Sequence, residues 1–131
     1  MILGIGTDII EINRVNNVIQ RNENFLKRNF SLDEIKYFED RKFKIETIAG
    51  AFSAKEAVSK AIGTGFRGFS LIDIEIIRDE LGKPNIRIGR KVEEVLKKFD
   101  IINYRFHISI SHSKENAIAY VILEGDKNEA F

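Results

Sequence analysis

Ala49-Gly-Ala-Phe-Ser-Ala-Lys-Glu-Ala-Val-Ser-Lys-Ala-Ile-Gly-Thr-Gly65 is the stretch on which the reading of this chain turns. It reads as one helix closed by glycines. At 100° per residue, Ala54, Ala57, Val58, Ala61 and Ile62 gather on one side, and Ser53, Glu56, Ser59, Lys60 and Gly63 on the other. An apolar side built largely of alanine lets the helix lie close against a sheet. Glu56 and Lys60 stand one turn apart and reach into the same space. A Glu–Lys pair at that spacing is ordinarily a solvated ion pair contributing ~0.2–0.5 kcal/mol. Gly63 or Gly65 is ordinarily the left-handed residue that ends a helix. The alternative is a polar side that faces a ligand, with Gly63 sparing it a bulky side chain.

Upstream, Ile2 to Glu11 reads as a strand with Leu3, Ile5, Thr7 and Ile9 on one face and Gly4, Gly6, Asp8 and Ile10 on the other. Asp8 thus shares a face with two residues that have no side chain. Either something large approaches the carboxylate, or a helix packs closely on the glycines. Gly4-Ile-Gly6 lacks the third glycine of a dinucleotide fingerprint, and no P-loop is present. Ile12 to Phe30 is helical in pattern, in one or two pieces. After Ile12 this segment carries Arg14, Arg21, Lys27 and Arg28 against one acid, Glu23. Arg14 and Arg21 share a helix face, which is a local basic patch or a plain solvated surface. Ser31-Leu-Asp-Glu34 is a capping box opening a helix to about Asp40, and Arg41-Lys-Phe-Lys44 is a basic link.

Downstream, Leu71 to Arg78 alternates as a strand, Asp79 to Lys83 turns, and Pro84 to Ile88 returns as a hairpin. Lys91 to Phe99 is an amphipathic helix. Arg105 to Ser111 and Ala117 to Leu123 form a second hairpin joined by His112-Ser-Lys-Glu-Asn116. Glu124 to Phe131 is polar and is expected to fray. No composition shift divides the chain, so residues 1–131 read as a single domain.

Composition narrows the function classes. The chain has 131 residues, 44% hydrophobic and 31% charged, with ten Phe and no Trp to fill its core. A net charge of +1 argues against a general electrostatic nucleic-acid binder. The absence of Cys excludes disulfides, thiolate metal sites and cysteine nucleophiles. Two histidines, at 107 and 112, argue against a His-rich zinc site. No apolar run approaches the ~18 residues of a membrane span. Met1 to Gly6 lacks the basic flank and length of a signal peptide. A cytoplasmic protein without membrane contact is expected.

Four motifs in order carry a likeness: Gly4-Ile-Gly-Thr-Asp-Ile-Ile10, Phe52-Ser-Ala-Lys-Glu-Ala-Val-Ser-Lys-Ala-Ile-Gly63, Gly82-Lys-Pro84, and Ile108-Ser-Ile-Ser-His-Ser113. Together they resemble the holo-[acyl-carrier-protein] synthases, the short bacterial branch of the phosphopantetheinyl transferases. The resemblance runs from Met1 to about Leu123. It implies an α+β fold, with an antiparallel sheet packed against a long central helix, and a homotrimer with active sites at subunit interfaces. It implies transfer of phosphopantetheine from coenzyme A to a serine of apo-acyl carrier protein, with Mg²⁺ as cofactor. Carried over by motif, Asp8 and Glu56 are the metal carboxylates, and Lys60 lies by the coenzyme A phosphates with Ser59 and Gly63 beside it. Pro84 borders the adenine pocket, His112 and Ser113 lie near the adenosine end, and Arg14, with Arg21 as a second position, meets the carrier protein. One position departs from the pattern. The basic residue usual just before the central Phe is Ala51 here, so Lys42, Lys44 and His112 remain to meet the donor's 3′-phosphate, and weaker discrimination against dephospho-coenzyme A is expected.

The residue types suit that chemistry. Mg²⁺ takes one or two carboxylates and fills its shell with phosphates and waters. An attacking serine needs a base, for which Glu56 is the best-placed candidate and His112 the other. Two other readings use part of the same features. A non-catalytic coenzyme A or nucleotide-binding trimer would keep Lys60 and the glycines without needing Asp8 paired to Glu56. An RNA-binding protein would use the Arg14 to Arg28 segment but would want a broadly basic surface with exposed aromatics.

Overall fold

The computed structural model describes residues 1–128. Ten elements follow in order: β1 (Ile2–Glu11), α1 (Ile12–Arg21), α2 (Phe25–Asn29), α3 (Leu32–Asp40), α4 (Ile45–Ile62), β2 (Ile74–Arg78), β3 (Pro84–Ile88), α5 (Arg90–Lys98), β4 (Ile101–His112) and β5 (Asn116–Lys127). The expected helix over Ile12 to Phe30 is two pieces. The expected strand over Leu71 to Arg78 begins instead with a single 3₁₀ turn at Leu71–Asp73. The fold is α+β. All strand pairs are antiparallel, but they form two sheets rather than one: β1-β5-β4, and a separate β2-β3 hairpin.

β1 and α4 meet at a seam of unusually small residues. A β-carbon at Gly4 would overlap the carbonyl of Ala61, and one at Gly6 the carbonyl of Ala57. The glycines therefore serve close helix packing, the second of the two sequence alternatives. With Ala54, Ala57, Val58 and Ala61 buried against Ala117, Ala119, Val121 and Leu123, the helix axis comes close enough to the sheet for polar groups on both to meet.

The polar side of α4 is only partly solvated, with Lys60 exposed. Ser53, Lys55 and Ser59 are buried with the alanines: Ser53 lies against Asp8 of β1, and Lys55 is covered by α2, α3 and the turn at Leu71. Lys55 is fully buried, and its ammonium donates to Glu34 Oε1 at 2.7 Å, Asn29 O at 2.7 Å and Leu71 O at 3.1 Å. Those acceptors use all three of its protons. Burial holds the Lys55 ammonium below its ordinary pKa, and the charge of Glu34 opposes that shift. Glu34 Oε1 also takes the Ser31 amide, as the expected capping box requires, and Oε2 takes the Ile76 amide at 3.1 Å. One ion pair thus joins α2, α3, α4 and β2.

Residues 124–127 correct the expectation of a frayed tail. They extend β5, pairing with Ile2 on one side and with Ile101, Ile102 and Arg105 on the other. Gly125 exchanges main-chain hydrogen bonds with Met1, and Glu124 meets His107 at 2.8 Å. Backbone pairing on both edges outweighs the polar composition. The remainder of the expected tail, residues 129–131, lies outside the described residues.

Removing one member of a buried ion pair strands the other charge and costs ~3–5 kcal/mol, whereas replacing both with apolar groups is far milder. Glu34→Ala should lower stability by about that amount in urea unfolding. Glu34→Leu combined with Lys55→Met should recover most of the loss. A Glu34→Ala loss below about 1 kcal/mol would mean that Lys55 finds water or another partner.

Candidate active site

The seam between β1 and α4 ends in a polar cluster. Asp8 lies on the inner face of β1, one step past Gly6. Its Oδ1 accepts from Lys60 Nζ at 3.1 Å, and the same ammonium donates to Thr7 O at 3.1 Å. Ser53, one turn before Ala57 on α4, donates its hydroxyl to Asp8 O at 2.8 Å with Asp8 Oδ2 at 3.1 Å. The fully buried Ser53 therefore fixes the carboxylate's direction from beneath. It belongs to the polar side of the predicted helix, but nothing in the sequence distinguishes it from a spacer, because its partner is 45 residues away.

Glu56 completes the cluster. It is half-buried and lifted above the ordinary carboxylate pKa, first by burial and then by the charge of Asp8, with Lys60 opposing. Two carboxylates close enough to repel, with one ammonium between their elements, form a site that a further cation would relieve. The donor set of two carboxylate groups, open to an aqueous groove, fits Mg²⁺ better than a metal that needs a full protein cage. Among the described residues no group of three or more His, Cys, Asp or Glu is gathered in metal-binding geometry.

Asp8 and Glu56 open into a groove of about 560 Å³. Glu11 and Arg14 add charge to it, and Val15, Val18, Phe25 and Phe52 make an apolar wall. Glu11 is a third carboxylate that the sequence reading passed over, since as the last residue of β1 it looks like an exposed strand end. Arg14 lines the groove. Arg21 lies on the same helix but outside the groove.

The other predicted residues are placed differently. Ser59 is 2% exposed and its hydroxyl donates to Glu56 O at 2.7 Å. Gly63 ends α4 with φ 93° and has open space where a β-carbon would be. Its left-handed backbone alone accounts for glycine. Pro84 starts β3, across from Arg78. His112 and Ser113 lie at the β4–β5 turn, where Ser113 N donates to Asn116 O. None of Gly63, Pro84, His112 and Ser113 lines the groove that Asp8 and Glu56 open into. Ala51, 3% exposed, faces the protein interior, so a basic side chain there would have to thread out through packed residues.

A sequence model of the 4'-phosphopantetheinyl transferase superfamily matches residues 4–121. This chain belongs to that superfamily. The transferase is 56% identical over 124 residues to the holo-[acyl-carrier-protein] synthase of Clostridium beijerinckii, covering 95% of this chain and 98% of that one. It is 55% identical over 128 residues to the synthase of Clostridium novyi, covering 98% and 91%. Among solved structures, it aligns with the Helicobacter pylori holo-[acyl-carrier-protein] synthase in complex with coenzyme A at a TM-score of 0.78 and 35% identity, over 92% of this chain and 99% of that one. It aligns with the Neisseria meningitidis synthase at a TM-score of 0.85 and 34% identity, over 95% and 99%.

The opposing influences on Glu56 give a signed prediction for the metal-free transferase. Asp8→Asn removes a repelling charge, so the carboxyl of Glu56 should titrate at lower pH than in wild type. Lys60→Met removes an attracting charge and should move it higher. Carbon-13 NMR titration of Glu56 reads both directions. No shift in either variant would show that burial alone sets the value.

Proposed function

We infer that this chain transfers 4'-phosphopantetheine from coenzyme A to a serine hydroxyl of apo-acyl carrier protein, releasing adenosine 3',5'-bisphosphate. The observation that carries this reading is the meeting of Asp8, Glu56 and Lys60 across the β1–α4 seam, in a chain that belongs to the superfamily. A module that only held a nucleotide would not need two repelling carboxylates at one point.

In this reading Asp8 and Glu56 hold Mg²⁺, which when bound offsets negative charge on the donor's pyrophosphate. Ser53 keeps Asp8 turned toward the groove. Lys60, half-exposed and held only by Asp8 and a carbonyl, is free to donate to a phosphate oxygen as a point cation. Glu56 accepts the proton of the carrier serine as the serine oxygen bonds to phosphorus and the bond to the adenosine 5'-phosphate oxygen breaks. Glu56 is the carboxylate best placed for that exchange. Arg14, with Arg21 farther along the same helix, meets an acidic carrier protein at the groove's rim, where charges govern association.

Gly63, Pro84, His112 and Ser113 serve the donor in this reading, with a second copy of the chain closing the site as part of a homotrimer. The outer face of β1-β5-β4 supports such an assembly. Ile5 at 54% and Ile9 at 65% exposure stand beside exposed Ile118 and Tyr120, a contiguous apolar face of the kind that marks an interface. No helix among the described residues is long and apolar enough to cross a membrane, and we assign the reaction to the cytoplasm.

Mass spectrometry of apo-acyl carrier protein incubated with coenzyme A and Mg²⁺ should register the added phosphopantetheine. Asp8→Asn and Glu56→Gln should each reduce the rate at least ~100-fold with unchanged melting temperature. Near wild-type turnover in either variant would remove that residue from the metal seat. The assembly is tested separately: mixing Glu56→Gln with His112→Ala subunits should restore part of the activity that each lacks. A monomer with full activity at assay concentration would rule out a shared site.

A further inference from the structure

Among the described residues that line the groove beside Asp8 and Glu56, Asn116 is the one whose side chain is polar but uncharged. It opens β5, opposite Glu11 in the strand register. Its backbone is held from two directions. Asn116 O accepts the Ser113 amide at 2.8 Å and Asn116 N donates to Ser113 Oγ at 3.3 Å, while the carbonyl of neighbouring Glu115 accepts the Ile12 amide at 2.8 Å. The hydrogen bonds of Asn116 among the described residues are all made by its backbone. Its half-buried carboxamide is thus carried on a fixed main chain with its donors and acceptor left for the groove.

The charged groups of the groove suit other ligands. Asp8 is held by Lys60 and Ser53, the Arg14 guanidinium can only donate, and an ionised Glu11 can only accept. Asn116 both donates and accepts without charge, which complements the N–H and C=O of a peptide-like amide. Across from these polar groups stands the apolar wall of Val15, Val18, Phe25 and Phe52. One apolar wall with a single neutral hydrogen-bonding group suits an extended, uncharged chain that carries amides and methyl groups. The register sets the distance. Asp8 pairs with Ala119 and Glu11 with Asn116, so the carboxamide stands three positions, ~10 Å, along the sheet from the level of Asp8.

We propose that Asn116 is a specificity-determining residue that hydrogen-bonds an amide of the donor's pantetheine arm. The inference rests on the reading above, in which coenzyme A is the donor and its pyrophosphate lies at Asp8, Glu56 and Lys60. There the nucleotide runs toward Pro84 and His112, which do not line the groove, and the arm is the part of the donor left to it. The arm is uncharged between its phosphate and its thiol. Its amides meet Asn116, whose Oδ1 accepts an N–H and whose Nδ2 donates to a C=O, and its methyl groups lie on the apolar wall. An acidic carrier protein calls instead for cations, which Arg14 supplies at the rim. A ligand without the arm gains nothing from Asn116.

Isothermal titration of the intact protein in Mg²⁺, with coenzyme A and with adenosine 3',5'-bisphosphate, separates the arm from the nucleotide. Asn116→Ala should weaken coenzyme A ~5-fold while changing the bisphosphate less than ~2-fold. In the transfer assay it should raise KM for coenzyme A by a similar factor and leave KM for the carrier protein within ~2-fold. Asn116→Leu nearly keeps the side-chain volume and removes only the hydrogen bonds. It should repeat these losses, and it carries the test should Asn116→Ala unfold. Equal losses for both ligands, an unchanged affinity for coenzyme A, or a raised KM confined to the carrier protein would overturn the inference alone. No phosphopantetheine transfer from coenzyme A by wild type would overturn the reading on which it rests.

Discussion

A fully buried ammonium with three acceptors leaves little room for alternatives. Lys55 must meet Glu34, Asn29 O and Leu71 O together, or remain charged in an apolar interior at a cost of several kcal/mol. Glu34 in turn caps α3 and takes the Ile76 amide of β2. The levels of α3, α4 and β2 are thereby set against each other to within a hydrogen bond. An apolar core alone would allow α4 to slide along the sheet by a residue at modest cost; this pair does not. Replacing it with apolar groups could preserve stability while loosening that register.

The register matters because the chemistry sits on its far side. Lys55 and Glu56 are adjacent in sequence and stand about 100° apart around the same helix. What anchors one side aims the other. On the sheet side, the glycines at 4 and 6 bring the strand onto the helix backbone, and Ser53 bonds to Asp8 across the gap. The two carboxylates are thus held near each other against their own repulsion, which adds to burial in raising the pKa of Glu56. Packing of small residues, a buried ion pair and a hydroxyl together create a site that no single element carries.

The outer face of the three-stranded sheet and the seam face have opposite characters on the same strands. Thr7 and Ile9 are exposed on β1, while Gly6 and Asp8 between and beside them face α4. Strand alternation therefore separates an apolar outer surface from the polar Asp8 cluster by the thickness of one sheet. A contact made on that outer surface can press on the backbone that carries Asp8 without touching the carboxylate.

Local pattern alone determined most of the elements. The helix over 45–62 and its end at Gly63, the Ser31–Glu34 capping box, the hairpin turn at 79–83 and the β4–β5 turn all depend on contacts within a few residues, which a sequence displays directly. The order of four short motifs was enough to point to the family, and it put Asp8, Glu56 and Lys60 on one list. Tertiary structure alone decided which polar residues face inward. Ser53, Lys55 and Ser59 are spaced like solvated positions, and only covering elements far away in sequence bury them. Residues 124–127 are polar, yet the two strand edges beside them supply their hydrogen bonds. Arg41 and Arg78, 37 positions apart in the numbering, share the Tyr37 ring only through the packing of their elements. Periodicity records the preference of a residue for water or core, but the partner that satisfies a buried charge comes from another part of the chain, and its identity is a fact of three dimensions.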